Sequence, residues 1–228
     1  MESRSPAAVG AALADVARVG PYFSLDTDPS VAGDPLWRPF TALYGRALPD
    51  QIAGVRARLG TSESRVAASL LFQGIAGRLW SPLLATAVEH GVVPDLDPAR
   101  TYWRAASPGP VLLAVPSADG VAADAATVRR VVIDRHLCPL VAAVRAVTPV
   151  AEGLLWGNAA SALAGALTVL AQDRPATSRP GGRLVEELLG MPPLRDSGTF
   201  GPLGFRRRSC CLYYRVPGGG LCGDCALL

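Results

Sequence analysis

Apolar residues recur along most of this chain at the three-to-four spacing of helices and only briefly alternate as strands do. Residues 6–19 read as a first helix closed by Gly20-Pro21, and a Pro- and Asp-rich loop, DTDPSVAGDPLW, follows. A second helical block is expected over about 36–59, ending at Gly60. Thr61-Ser62-Glu63 then offers a helix start with Ser62 as N-cap. Val66, Leu70, Leu71, Ile75 and Leu79 keep the helical period. Ser81-Pro82 predicts the start of another helix, since proline is tolerated in a first turn, and His90-Gly91 closes it.

TYWRA (101–105) and VLLAVPS (111–117), either side of a turn-rich SPGP, predict a short antiparallel hairpin. Residues 121–147 read as one or two helices, kinked or divided by Pro139, and 150–172 as a long apolar helix. DRPATSRPGGR reads as a loop and VEELLG as a short helix. The expected fold is therefore α+β and mostly helical, with one small antiparallel sheet and an irregular C-terminal segment. In domain terms, a mainly helical body covers 1–200 and a small metal-organised segment covers 201–228.

The stretch 153–171, GLLWGNAASALAGALTVLA, carries no charge over a length that could cross a bilayer. Much of it is Ala, Gly, Ser and Asn, and no basic residue anchors its first end, so a buried helix is the better reading. Any membrane association is expected to be peripheral. All 22 basic side chains are arginine, and a net charge of +3 spread along the chain is too weak to suggest nucleic acid. The N-terminus does not read as a signal peptide, because Glu2 offsets Arg4 and Asp15 and Arg18 break the apolar run. A reducing compartment is the corresponding expectation, and structural disulfides are rare there.

Glycine-rich dinucleotide and phosphate loops are absent from the sequence, as is a nucleophile elbow. With His90 and His136 the only histidines, a mainly imidazole site is not expected. Asp95 and Asp97 sit beside prolines in a loop and read as turn formers. The cysteines are the remaining carriers of chemistry. Four of the five fall in the last stretch, RRRSCCLYYRVPGGGLCGDCALL, spaced Cys-Cys-x10-Cys-x2-Cys. Structural zinc is one use for four thiolates, and Cys222-Gly-Asp-Cys225 suits it. The neighbours Cys210 and Cys211 suit it less. Their Cα atoms are about 3.8 Å apart, and in extended chain their side chains point to opposite sides. A two-iron cluster, which takes four thiolates in all, offers more attachment points. Geometry alone leaves zinc and cluster about even.

That tail closely resembles the C-terminal signature of the FhuF-type ferric-siderophore reductases, and GRLWSPLLATAVEHG (77–91) and LLWGNAASAL (154–163) are also similar. The resemblance implies that Cys210, Cys211, Cys222 and Cys225 hold one 2Fe-2S cluster, with no further catalytic residue. It implies one-electron reduction of Fe(III) in a siderophore, hydroxamate-type by expectation, in the cytoplasm and at most loosely attached to the inner face of the membrane. Electrons would come from a separate ferredoxin or flavoprotein reductase. A zinc-stabilised interaction module and an iron-sulfur carrier without reductase turnover are the alternatives. Siderophore-synthesis enzymes of a related branch lack this tail. Around such a cluster, Arg206, Arg207, Arg208 and Arg215 are expected to offset its negative charge. Gly218, Gly219, Gly220 and Gly223 are expected to bring backbone N–H groups close. Leu212, Tyr213 and Tyr214 are expected to form a short strand. Cys138 is expected to be a buried inert thiol, and Trp80, Trp103 and Trp156 to be core or lining residues.

Overall fold

A computed structural model describes residues 3–106, 111–117, 119–201 and 204–228. In chain order the elements are β1 (Ser3–Arg4), α1 (Pro6–Val16), β2 (Arg38–Pro39), α2 (Leu48–Arg58), α3 (Ser64–His90) and β3 (Val92–Pro94). There follow β4 (Tyr102–Arg104), β5 (Leu112–Ala114), β6 (Gly120–Ala122), α4 (Ala125–Arg129), a π-helical stretch (Arg130–Leu137) and α5 (Cys138–Val147). The chain finishes with α6 (Glu152–Asp173), α7 (Ser178–Leu189), β7 (Gly198–Gly201) and β8 (Gly204–Arg207). The mostly helical α+β reading holds.

Helices α3 and α6 form the centre of the body. Along α3 the run from Ile75 to Ala87 is buried without interruption, on every side of the helix. That burial explains the largest departure from the expected elements. Instead of starting a helix, Pro82 lies inside α3, which continues for 27 residues. An interior proline costs about 3 kcal/mol. Burying Leu79, Trp80, Leu83 and Leu84 returns about 1.5–3 kcal/mol each, so the continuous helix wins. The hydroxyls of Ser81 and Thr86 donate to the carbonyls of Gly77 (2.8 Å) and Pro82 (3.0 Å) within the same helix. The helix begins at Ser64, with Glu63 rather than Ser62 at the cap.

Other boundaries move for similar reasons. The block expected at 36–59 divides into β2, a 3-10 turn (Phe40–Tyr44) and α2, because β2 is drawn into a sheet by β4. The stretch SRPGG, expected as loop, is the first turn of α7. Gly181 there lets α7 close on α6: an added Cβ would lie 2.6 Å from Leu167. Pro139 does not divide its helix. It lies two residues past the π-helical stretch, and the Arg135 carbonyl, which a proline N–H cannot satisfy, accepts the Tyr44 hydroxyl instead (3.1 Å). The β4–β5 hairpin forms as expected, pairing Trp103 with Leu113. Among the described residues it belongs to one of three small antiparallel sheets rather than a single one, the orders being β1-β6-β3, β2-β4-β5 and β7-β8.

Helix α6 is long and apolar enough to cross a membrane, with a mean hydropathy of 1.5, yet 67% of that window is buried within the protein. Trp80, Trp103 and Trp156 are core residues. Cys138, expected to be buried, is exposed at the start of α5, because its turn faces away from the buried stripe of Leu140, Val141 and Val144.

Candidate metal centre

The C-terminal segment is attached to the α3–α6 pair by a chain of buried polar contacts. Ser69 of α3 donates its hydroxyl to the carbonyl of Cys211 (2.7 Å). Asn158 of α6 donates to the carbonyl and hydroxyl of Ser69 (3.0 and 2.8 Å). Arg207, at the end of β8, donates to the amide oxygen of Asn158 (2.8 Å) and to the Ser161 hydroxyl. The same guanidinium grips Asp224, with Nε–Oδ2 at 3.1 Å and Nη2–Oδ1 at 2.9 Å. Ser69 and Asn158 are fully buried and Arg207 is 2% exposed. Charge and hydrogen bonds must therefore be satisfied inside the protein, since an unpaired group there would be expensive. Asp224 meets this need from between Cys222 and Cys225.

Gly157, next to Asn158, allows the tail to approach. A Cβ there would lie 2.1 Å from the Ser209 hydroxyl oxygen, which donates to the carbonyl of Gly153 (3.2 Å). Beyond Cys211 the chain turns sharply. Leu212 sits in the left-handed region (φ 70°), and Tyr213–Arg215 form a 3-10 turn rather than the expected strand. Gly218 is also left-handed (φ 72°). Gly219 packs so closely that a Cβ would meet the carbonyl oxygen of Tyr213 at 2.5 Å. These turns fold the ten-residue spacer back on itself and return Cys222 to Cys211.

The four tail thiols are brought together as two pairs. The sulfurs of Cys211 and Cys222 are 3.7 Å apart, and the Cys210 thiol has that of Cys225 among its neighbours. Backbone N–H groups of Leu212 and Leu227 point at the sulfurs of Cys210 (3.3 Å) and Cys225 (3.4 Å). Cys211 and Cys225 are buried, while Cys210 and Cys222 are partly exposed. Burial pushes the Cys222 thiol up to about 12, against the opposing charge of Arg207, and burial likewise raises Cys210. Thiolates here thus need a cation to take up their charge.

Among the described residues, no three His, Cys, Asp or Glu side chains converge where one ion could sit. Two pairs of sulfurs fit a two-iron cluster better than one tetrahedral ion, since each iron of such a cluster takes two thiolates. The 3.7 Å separation fits one ion per pair as well. Of the arginines expected to offset cluster charge, Arg207 is the buried one, with its charge felt at Cys211 and Cys222. Arg208 pairs with Asp196 (3.3 Å), and Arg215 pairs with Glu63 (2.7 Å) across the surface. Arg206 is exposed.

A cleft with a volume of about 860 Å³ opens over one of the pairs. Cys211, Cys222 and Asp224 line it together with Tyr22, Phe23, Gln73, Gly77 and Phe205, among others. Asp224 is the only charged side chain among the lining residues. A smaller groove of about 420 Å³ reaches Cys225 from the side of Arg206 and the β7–β8 hairpin.

Fold and donor set together define a helical protein with a C-terminal, all-cysteine candidate metal centre. The family model of ferric iron reductase FhuF-like transporters matches residues 69–195, more than half the chain. The model of the FhuF 2Fe-2S C-terminal domain matches residues 207–227. The chain belongs to this FhuF-like ferric iron reductase family, and the second match supports an iron-sulfur cofactor. No match to a curated protein accompanies them.

Ser69, Asn158 and Asp224 were not singled out by sequence reasoning. The available signal was chemical: Asn158 is the one side-chain amide between Glu152 and Gln172 in an otherwise apolar or small-residue helix. Such a residue, once buried, needs a partner from elsewhere in the chain.

Proposed function

We propose that this protein reduces Fe(III) held in a siderophore, using one 2Fe-2S cluster bound by Cys210, Cys211, Cys222 and Cys225. In this reading residues 201–228 form the cluster segment on a body made by 1–200. The observation that carries it is the cleft, which places a sizeable neutral chamber directly against Cys211 and Cys222.

When bound, a 2Fe-2S cluster supplies electrons one at a time. The walls of the cleft hold the ferric complex against the partly exposed Cys222, and Ser69, Asn158 and Arg207 keep that edge in place. Fe(III) in the complex gains one electron and becomes Fe(II). Hard anionic oxygen donors grip the less charged ion more weakly, and the iron can pass to other acceptors. No acid or base is required for the electron itself. The near-absence of charge on the walls, with Asp224 the exception, favours a neutral complex such as a tris-hydroxamate over a strongly anionic one. A dinucleotide-binding loop is absent from the sequence, so the electron comes from a separate donor of the ferredoxin or flavoprotein class. The cytoplasm, where thiols stay reduced and imported ferric complexes arrive, is the fitting location.

Anaerobic purification followed by iron and sulfide analysis tests the cofactor: equal amounts of iron and labile sulfide are expected, and a colourless zinc protein would refute it. Titration of the reduced protein with ferric siderophores tests the activity. Cluster reoxidation should proceed with one Fe(II) formed per electron, faster for neutral hydroxamate complexes than for anionic catecholates.

A further inference from the structure

Adjacent cysteines can serve the same metal ion or two different ones, and the side-chain contacts distinguish these cases. Two thiolates on one tetrahedral ion, at metal–sulfur distances of about 2.3 Å, lie roughly 3.8 Å apart. The sulfurs of Cys211 and Cys222 already stand at 3.7 Å. Cys210, although next to Cys211 in sequence, is left with Cys225 as its neighbour, and the sulfurs of these two share the same feature, a local backbone N–H directed at each. The left-handed turn at Leu212 and the folded spacer beyond it create this crossing. Each partner in Cys222-Gly-Asp-Cys225 is thus claimed by a different member of the vicinal pair.

We infer that the cysteines divide crosswise, Cys211 and Cys222 holding the iron that faces the cleft and Cys210 and Cys225 holding the other, and that the electron gained on reduction rests on the Cys210–Cys225 iron. This inference rests on the reading that the four thiols bind a 2Fe-2S cluster. A one-electron donor takes two ferric ions to one ferric and one ferrous, and the added negative charge settles where it is better stabilised. Hydrogen bonds to sulfur and the local charge decide that. Both sulfurs of the Cys210–Cys225 pair accept a backbone N–H, from Leu212 and Leu227. Among the described residues, no backbone N–H is directed at Cys211 or Cys222. The Asp224 carboxylate lines the cleft beside Cys222, and its bidentate hold on Arg207 largely cancels the benefit of that cation. In a reduced cluster the added electron would therefore be held on the side away from the cleft, with the Cys211 and Cys222 sulfurs between it and a bound ferric complex.

The test replaces each cysteine singly, as C210S, C211S, C222S and C225S, in full-length protein enriched in the Mössbauer-active iron isotope and reduced with dithionite. A serine oxygen is a harder ligand than sulfur and changes the spectrum of the iron it binds. C210S and C225S should alter the ferrous doublet and the EPR signal alike. C211S and C222S should alter the ferric component alike and leave the ferrous doublet as in the unsubstituted protein. If C210S groups with C211S or with C222S, the crosswise division is overturned. If C211S and C222S are the variants that change the ferrous doublet, the electron placement is overturned.

Should serine variants lose the cluster, paramagnetic NMR of the unsubstituted reduced protein decides the same question. Cysteine β-protons on the ferrous ion shift with temperature in the opposite sense to those on the ferric ion. The peptide bond Cys211-Leu212 is the only Cys-Leu in the chain, so a label confined to it identifies Cys211. The ferric sense is expected there, and the ferrous sense overturns the assignment. Absence of iron and sulfide from the purified protein would overturn the cluster reading itself, a failure separate from regrouping of the variants.

Discussion

The Arg207–Asp224 pair sets up opposite charge tests on the same cluster edge. Asp224 lines the cleft together with Cys222, and the Arg207 guanidinium is 2.9 Å from its carboxylate. A separation of about 6 Å between that cation and the sulfur is the working distance. At an effective dielectric constant of about 20, two unit charges at that distance interact by about 3 kcal/mol. One electron across a potential of about 100 mV corresponds to about 2.3 kcal/mol. Because Cys222 is partly exposed, solvent removes a good part of this, and a shift of about 50–100 mV is the working figure. Arg207→Gln should lower the cluster potential by that amount, and Asp224→Asn should raise it. The double variant should return to within about 30 mV of the parent, since the two charges leave together. Redox titration under anaerobic conditions, followed by EPR and by visible absorbance, measures all four proteins. Shifts of the same sign in the two single variants, or shifts below about 20 mV in both, would refute electrostatic control by this pair and leave solvent exposure as the governing influence.

Asn158→Ala strips partners from both Ser69 and the buried Arg207, so a loss of about 2–4 kcal/mol in urea unfolding is expected; a loss under about 0.5 kcal/mol would show that the polar chain does not clamp the tail. Gly157→Leu drives a side chain into the space of Ser209 and should reduce iron and sulfide per chain at least severalfold while the helical circular dichroism persists. Full loading of that variant would show that close approach at α6 is dispensable. His136 is buried with Nε2 at 2.9 Å from the Leu96 carbonyl, and burial holds its pKa at about 4 against 6.5 for the free side chain. The unfolded chain therefore binds a proton first as pH falls. Stability is full above about pH 6.5 and falls by about 1.4 kcal/mol per unit down to about pH 4, by about 3 kcal/mol in all. His136→Gln should flatten that slope in urea titrations at a series of pH values, and an unchanged slope would exclude the histidine as its source.

What the sequence disclosed about this centre differs from what it concealed in a physically consistent way. The four cysteines are a local signal, a donor type at a fixed spacing. The hairpin pairing Trp103 with Leu113 was legible for the same reason, from alternation on either side of a turn. The continuation of α3 through Pro82 was not legible, because its cost is local whereas the compensation comes from side chains contributed by α6 and the rest of the core. The anchoring of the tail was hidden more deeply. Ser69 meets Cys211 across 142 positions and Asn158 meets Arg207 across 49, and each residue read alone looks like an ordinary polar interruption. The three arginines before the cysteines show the limit most sharply. As a run they suggest a shared electrostatic role, yet β8 alternates its side chains, exposing Arg206 and burying Arg207, and Arg208, just past the strand, is exposed. Strand period, not charge density, selected which of the three reaches the sulfurs. The same selection ties the C-terminal segment to the two helices that line the cleft, so the residue that holds the tail in place is also the cation whose charge reaches Cys211 and Cys222.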